Sequence, residues 1–170
     1  EPALSAPVVS YNPVTQSAPM TTPSINQPTE RHQTIQDSQK GISFDKLFGP
    51  YLAGATSITV TDPYIRAFHQ LRNFMEFLET IIKAKAPEDE VAVHLITTID
   101  DARPEQQVEV LDRLKESTVV TGITFTWEFD GTGTIHARSI VTDTGWKISL
   151  DRGLDIFQMF DFRDAFAFAN

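Results

Sequence analysis

A histidine, an arginine and an aspartate lie close together in the last third of the chain. His136, Arg138 and Asp143 form the pattern H-x-R-x4-D. On a strand, residues two positions apart project to the same face, so the imidazole and the guanidinium would point together. The histidine could attack phosphorus or protonate a leaving oxygen, while the cation neutralises the non-bridging oxygens and the carboxylate orients both. The alternative is a solvated strand face followed by a turn aspartate, and the pattern alone does not separate the two.

A second group of donors is predicted where a strand runs into a helix. Residues 57–61 alternate β-branched side chains, and Asp62-Pro63 is expected to end this strand and cap the helix. The helix is predicted to bury Phe68, Leu71, Met75, Leu78 and Ile82. Its other side carries donors without a carboxylate, at the positive end of a helix dipole: Arg66, His69, Gln70 and Asn73. This is a place to hold a phosphate, although an ordinary solvated helix face explains the same pattern.

The totals exclude several classes of protein. The 170 residues suffice for one domain with a core, and the net charge of −9 argues against a general nucleic-acid binder. Any anion must therefore be held locally. The absence of cysteine excludes disulfides and thiolate zinc sites, and no apolar run approaches the roughly 18 residues of a spanning helix. No metal site or cofactor is predicted. The chain begins at Glu1 without a signal-peptide pattern, so we expect it to be the tail of a longer polypeptide.

The remaining sequence predicts an α/β domain behind a flexible tether. Residues 1–40 are rich in Pro, Ser, Thr and Gln and are expected to form a disordered linker, whereas residues 41–170 form the domain. Predicted elements are a helix capped by Ser43 with a break near Gly49, a strand at 91–97 covered on both sides, a helix at 105–119, and strands at 122–129, 135–142 and 146–150. The sheet should be parallel early and antiparallel late. The Phe-rich tail should pack across the sheet or form a partner surface.

Short blocks along this order resemble the phospholipase D-like domain found C-terminal to MIT domains. They are Asp62-Pro-Tyr-Ile-Arg66, His69-Gln-Leu71, Asn73-Phe74, His94-Leu95, Ile135-His136 with Arg138, Gly145-Trp-Lys-Ile148 and Arg152-Gly-Leu-Asp155. The resemblance covers about residues 41–160 and suggests a bacterial-type member without an MIT domain. It implies a phospholipase D-like mixed β-sheet flanked by helices, often a homodimer, that binds anionic phospholipid membranes without demonstrated catalysis. The linker would join it to another upstream module.

Three departures from active phospholipase D-type enzymes favour a degenerate site. Active members use two His and two Lys around one phosphate in the pattern H-x-K-x4-D, whereas this chain has one motif. Arg138 replaces the lysine and is larger and differently hydrated. The Gly/Ser-x-Asn element expected downstream is replaced by Thr144-Gly-Trp. His136, Arg138 and Asp143 would therefore be catalytic only if activity remains.

Three functions follow from these observations. The first is a non-catalytic module, cytoplasmic or peripheral at membranes, that holds a phosphate-bearing ligand such as an anionic phospholipid headgroup; its expected ligand-binding residues are Arg66, His69, His136, Arg138, Lys147 and Arg152. The second is a weak dimeric phosphodiesterase or nuclease in which His136 is the nucleophile and its symmetry mate the acid. The third is a protein–protein assembly domain with a vestigial pocket. Nucleic acid is disfavoured by the charge but stays open as a partner.

Overall fold

A computed structural model of the chain describes residues 28–33, 41–151 and 153–154, and within them three α-helices pack on one face of a five-stranded mixed sheet. The elements are α1 Phe44–Leu52, β1 Ser57–Thr61, α2 Phe68–Ala84, β2 Val91–Thr97, α3 Pro104–Thr118, β3 Ile123–Phe129, β4 Ser139–Thr142 and β5 Lys147–Ser149, with a short 3-10 turn at Val119–Thr121. The predicted α/β class and the order of strands and helices are confirmed.

The strands lie in the order β3-β2-β1-β4-β5. β1, β2 and β3 are parallel, while β4 is antiparallel to β1 and β5 is antiparallel to β4, as predicted. The chain therefore places β2 on one side of β1 and β4 on the other. The carboxyl end of β1 is therefore flanked by the loop that follows β2 and by the loop that precedes β4.

The core lies between the sheet and the helices. It includes large side chains from both layers, among them Phe48, Phe74, Phe77 and Phe125, whose rings pack against one another. Burial alternates along β2 and β3, and the outward-facing residues of β3 are exposed. The expectation that the strand at 91–97 is covered on both sides is therefore wrong for the described part of the chain, where only one face of the sheet is covered.

The helix after β1 begins later than predicted and is rotated. Asp62 does not cap it; its Oδ1 accepts a hydrogen bond from the Tyr64 amide at 2.9 Å, within a turn at residues 63–66. The buried face is Leu71, Asn73, Phe74, Phe77, Leu78, Thr80 and Ile81. Phe68 is instead 76% exposed and Met75 43% exposed. The rotation buries two phenylalanines on the same stripe, and aromatic rings contribute the largest apolar area per side chain.

Two smaller predictions also change. Ser43 caps α1 as predicted by accepting from the Lys46 amide, but the helix continues through Pro50 to Leu52 without the predicted break at Gly49. The buried side chains of Phe48 and Leu52 hold this last turn against the core, which offsets the missing N–H. The strand predicted at 135–142 starts only at Ser139, because its partner β1 ends at Thr61 and Pro63 follows soon after.

Parts of the predicted organisation lie outside the described residues. They comprise most of the linker, Arg152 and the Phe-rich tail from residue 155 onward. Within the linker, residues 28–33 are described and lie in irregular conformation.

Candidate functional site

The candidate site lies at the carboxyl end of β1, beside the start of β4. Thr61 pairs with Ser139, so Asp62 and Arg138 come next to each other just beyond the paired strands. Asp62 is buried, and its Oδ1 lies 3.9 Å from Nε of Arg138, whose side chain is 20% exposed. Arg138 therefore lies at the carboxyl end of β1, paired with a buried carboxylate.

Arg138 is held on several sides. Its Nη1 donates a hydrogen bond to the Asp151 carbonyl oxygen at 2.6 Å, and its guanidinium carbon lies 4.3 Å from the centroid of the Tyr64 ring. Within the described residues, its buried Nε has no hydrogen-bond partner. Contacts of this kind fix the direction of the guanidinium, which lowers the entropy lost when it binds a ligand.

A second guanidinium contacts the same aromatic ring. The guanidinium carbon of Arg66 lies 5.2 Å from the Tyr64 centroid. Tyr64 is 37% exposed, so the ring and its two cations reach the surface. Cation–π attraction stabilises each arginine beside the ring. Asp62 balances the charge of Arg138, so the group of three side chains has one net positive charge in a protein of net charge −9.

Gln107, which sequence reasoning missed, positions the loop that carries Tyr64 and Arg66. It is 1% exposed, and its Nε2 donates to the carbonyl oxygens of Ile65 at 2.8 Å and Thr98 at 2.9 Å. Its Oε1 accepts from the Asp100 amide at 2.7 Å. Gln107 thus ties the loop after β1 to the loop after β2. A signal was present, since Gln107 is four residues before Leu111 and shares its buried helix face.

The side chain of Gln70, one of the predicted donors at the start of α2, hydrogen-bonds to the backbone before the helix. The Oε1 atom of Gln70 accepts hydrogen bonds from the amides of Arg66 at 3.1 Å and Ala67 at 2.9 Å. Two of the donors nearest Arg66 are therefore satisfied by the protein itself. His69 is exposed in the first turn, and Asn73, predicted on the polar face, is buried.

The carboxylate of the H-x-R-x4-D motif does not lie beside its cation. Arg138 precedes β4 and Asp143 follows it, so strand geometry places them roughly 16 Å apart. Asp143 accepts from the amide of Thr56 at 3.0 Å and from the Thr56 hydroxyl. These hydrogen bonds, the hydroxyl first, hold the pKa of Asp143 below its ordinary value. Through these hydrogen bonds, Asp143 connects the β4–β5 turn to the residue before β1.

The other predicted residues divide between the two ends of the sheet. His136 is exposed in the loop two residues before Arg138. Lys147 pairs with Val141 in β5 and lies toward the Asp143 end. The structure thus brings together Arg66 and Arg138 through Tyr64, with His136 and His69 close in the chain. It does not bring Asp143 or Lys147 to them.

Gly153 lies directly against the side chains of Asp62 and Arg138. Gly153 has a φ of +60°, and a Cβ built there would overlap Asp62 Oδ2 and lie 3.0 Å from Cδ of Arg138. Only glycine suits both the backbone conformation and the space. The position lies within the Arg152-Gly-Leu-Asp155 block that carried part of the family resemblance, which was the available signal for it.

The described residues contain neither a group of three or more metal ligands nor a helix fit to span a membrane. No group of three or more His, Cys, Asp or Glu side chains there is arranged to hold a metal ion. No helix in the same part of the chain combines the length and apolar character needed to cross a membrane.

The mixed five-stranded sheet with its three helices is consistent with a phospholipase D-like domain. A family model described as a phospholipase D-like domain at the C-terminus of MIT matches residues 41–170, and the chain belongs to this family, as the sequence blocks predicted. Among curated proteins the chain is similar to MIT domain-containing protein 1 of Mus musculus, with 36% identity over 126 residues. The match covers 73% of this chain and 49% of the mouse protein, so the chain spans about half the length of that relative.

Proposed function

We propose that this domain is a non-catalytic module that binds a phosphate-bearing ligand, an anionic phospholipid headgroup in particular, at the carboxyl end of β1. The observation that carries the proposal is the pair of guanidinium groups, from Arg66 and Arg138, against the half-exposed ring of Tyr64. Arginine presents a planar set of donors that matches phosphate oxygens in a bidentate manner. In a chain of net charge −9, two cations on one ring form a local site for such an anion.

The exposed side chain of Phe68, next to the site, favours a membrane surface over a free phosphoester as the ligand. Phe68 follows Arg66 by two residues and is 76% exposed, the largest exposure of any phenylalanine in the described residues. An aromatic side chain beside cations suits the boundary between headgroups and acyl chains, where the ring is buried and the cations stay among phosphates. We therefore place the domain at the cytoplasmic surface of an anionic membrane as a peripheral component.

The geometry gives little support for phosphodiester cleavage by one copy of the chain. General acid–base and nucleophilic catalysis need the participating groups within hydrogen-bond reach of one reacting centre. Asp143 stands at the far end of β4, bound to Thr56. The single exposed His136 would need a second histidine from another copy.

Vesicle co-sedimentation tests the proposal. Wild-type chain should bind phosphatidylcholine vesicles containing about 30 mol % phosphatidylserine, bind pure phosphatidylcholine weakly, and lose affinity between about 50 and about 300 mM NaCl. Arg66→Gln should weaken binding about fivefold, since one cation near an anionic surface contributes about 1 kcal/mol. Arg113→Gln is the matched control, because Arg113 is an exposed arginine on α3 paired with Glu109.

Two results, one from co-sedimentation and one from a hydrolysis assay, would contradict the proposal. One is equal binding by wild type, Arg66→Gln and Arg113→Gln, which would mean that the cations around Tyr64 do not take part. The other is hydrolysis of bis-p-nitrophenyl phosphate by the wild type that His136→Ala abolishes, which would establish the phosphodiesterase instead. A titration with inorganic phosphate distinguishes a small-anion site from a membrane-binding surface. If the wild type binds phosphate weakly and Arg66→Gln loses phosphate binding as strongly as it loses vesicle binding, the site recognises a small anion.

Self-association is a second candidate function, and the outer face of the sheet favours it. Within the described residues this face has exposed side chains on three of the five strands, namely Thr124 and Thr126 on β3, Ala92 on β2 and Val141 on β4. A flat sheet face with small and β-branched side chains can pack on a second copy. Sedimentation velocity should then show a dimer that Val141→Lys weakens. A monomer at all concentrations would contradict it.

A further inference from the structure

Three polar side chains form a cluster on the outer face of the sheet and take no part in the candidate anion site. The imidazole of His94 on β2 lies beside Thr126 and Glu128 of β3. Its Nδ1 is 2.7 Å from the Thr126 hydroxyl oxygen, and its Nε2 is 3.4 Å from Oε2 of Glu128. His94 pairs with Thr126 across the two strands, and Glu128 lies two residues farther along β3. All three side chains therefore project from the same face.

The spacing of His94 and Glu128 suits two ligands of one zinc ion. Zinc binds imidazole nitrogen and carboxylate oxygen at roughly 2.0–2.2 Å in tetrahedral geometry, which places two such ligand atoms about 3.4 Å apart. The two atoms in the protein are 3.4 Å apart. This is longer than the roughly 2.7–3.2 Å of a direct N–H···O hydrogen bond. The side chains are 35% and 61% exposed, so a cation can reach both from solvent.

Thr126 holds the imidazole in the orientation that metal binding needs. A metal-bound histidine generally donates its other ring N–H to a neighbouring oxygen, and this hydrogen bond fixes the tautomer and the direction of the ring. The Thr126 hydroxyl can accept a hydrogen bond as well as donate one. It can therefore accept from Nδ1–H of His94, which leaves the lone pair of Nε2 directed toward the space beside Glu128.

One copy of the chain supplies only half of a tetrahedral zinc site. In the part of the chain that the structure describes, no third His, Cys, Asp or Glu side chain joins the pair. A second copy related by a twofold axis brings the same two ligands, because a twofold interface uses the same surface on both subunits. The outward-facing neighbours of His94 are short side chains, so the ligands of two copies can approach each other. These neighbours are Thr59, Ala92 and Thr124.

We propose that His94 and Glu128 bind Zn²⁺ and that the ion joins two copies of the chain through the outer faces of their sheets, with two ligands from each copy. The proposal rests on the second candidate function, self-association through this face, and names the ion that strengthens it. An imidazole with a carboxylate suits zinc, whereas Mg²⁺ and Ca²⁺ take roughly six or more oxygen ligands. Val141 belongs to the same interface, since it and His94 both pair with Thr59.

Sedimentation velocity of the full chain, in EDTA and in excess ZnCl₂, tests the proposal. Zinc should tighten dimerisation at least about tenfold, because an ion that binds the dimer in preference to the monomer shifts the equilibrium toward the dimer. Calorimetry should give one ion for each pair of chains. His94→Gln and Glu128→Gln should each remove the effect of zinc. The matched controls are His32→Gln and Glu88→Gln, at exposed positions outside the cluster, and both should respond to zinc as the wild type does.

A pair of threonine variants separates the metal site from a general change of the surface. Thr126→Val keeps the shape of the side chain and suits a strand, but it removes the hydrogen bond to Nδ1 of His94. It should weaken zinc binding about tenfold, as loss of a partner of a metal-bound histidine does. Thr124→Val, two residues earlier on the same face of β3, should leave zinc binding unchanged. In the wild type, zinc should shift the ¹⁵N resonance of His94 Nε2 while Nδ1 keeps its proton.

The outcomes distinguish the zinc site from self-association itself. A dimer of equal affinity in EDTA and in zinc would overturn the zinc proposal and leave the dimer through the outer face standing. A monomer under both conditions would overturn both. A zinc-dependent dimer that persists in His94→Gln and Glu128→Gln, or one ion bound to each monomer, would also overturn the zinc proposal. A zinc-dependent dimer that both variants lose would support it.

Discussion

The two ends of β4 differ in how their polar groups are used. At the end next to the carboxyl terminus of β1, Arg138 Nε is buried without a hydrogen-bond partner in the described residues, and two guanidinium groups share one exposed ring. At the other end, Asp143 is bound through both oxygens to Thr56. The residues of one sequence motif thus lie at opposite ends of a strand, with Arg138 in the proposed ligand site and Asp143 in a contact that stabilises the fold.

The largest expected effect comes from Gly153, which lies against Asp62 and Arg138 at the first of these two ends. Gly153→Ala introduces a Cβ that overlaps Asp62 at a backbone φ of +60°. It should lower the free energy of unfolding by about 3 kcal/mol and abolish vesicle binding, because Asp62 and Arg138 must both move. Urea unfolding measures the first quantity. Gly131→Ala is the control, since a Cβ there meets nothing within 4 Å, and it should change neither property. A fully stable Gly153→Ala variant would contradict the described packing.

An intermediate effect is expected at the residue that positions the cation loop. Gln107→Leu removes the hydrogen bonds to Ile65, Thr98 and Asp100 and should cost about 2 kcal/mol in the free energy of unfolding. It should also weaken vesicle binding under conditions where the variant is fully folded, because the loop bearing Tyr64 and Arg66 is released. Gln106→Leu, at the exposed neighbouring position, should leave both unchanged. Wild-type binding by folded Gln107→Leu would show that Gln107 serves the core alone.

The smallest effect is expected at the opposite end and depends on pH. Because the folded-state pKa of Asp143 is depressed, its carboxylate stabilises the fold above the ordinary aspartate pKa of about 4, and this stabilisation is lost as the pH falls through the folded value. Asp143→Asn should therefore lower stability at neutral pH and reduce the acid dependence of unfolding. Vesicle binding should stay at the wild-type level. Asp101→Asn, in an exposed loop, is the control; reduced vesicle binding in Asp143→Asn alone would place Asp143 in the ligand site.

Much of the fold follows from local sequence patterns. The apolar run at 91–97 and the alternation of apolar and polar residues before Asp130 predict two strands with nearly correct bounds. The turn at Asp143-Thr-Gly145 predicts the hairpin of β4 and β5. The buried face of α2 could not be predicted in the same way, because Phe68 and Met75 fit the helical spacing of a buried face as well as Phe74 and Phe77 do. Only packing against β3, where Phe74 meets Phe125, decides between them.

The candidate site was predicted in part. Arg66 and Arg138 were both named from sequence, but their common contact, Tyr64, was not, because a cation–π pair across two loops leaves no periodic signal. Asp143 was grouped with Arg138 on spacing alone. Spacing does not show where a strand begins, and the start of β4 at Ser139 puts the two residues at opposite ends.

The most direct test of the anion site is an NMR titration of the full chain with dihexanoyl-phosphatidylserine, followed at both ends of β4. The Nε–H of Arg138 is buried, so its resonance should be observable and should shift together with the amides of Tyr64 and Arg66. The amides of Thr56 and Asp143 should stay unchanged. Saturable shifts confined to the Arg138 end would support the account, whereas shifts centred on Thr56 and Asp143, or none at either end, would contradict it.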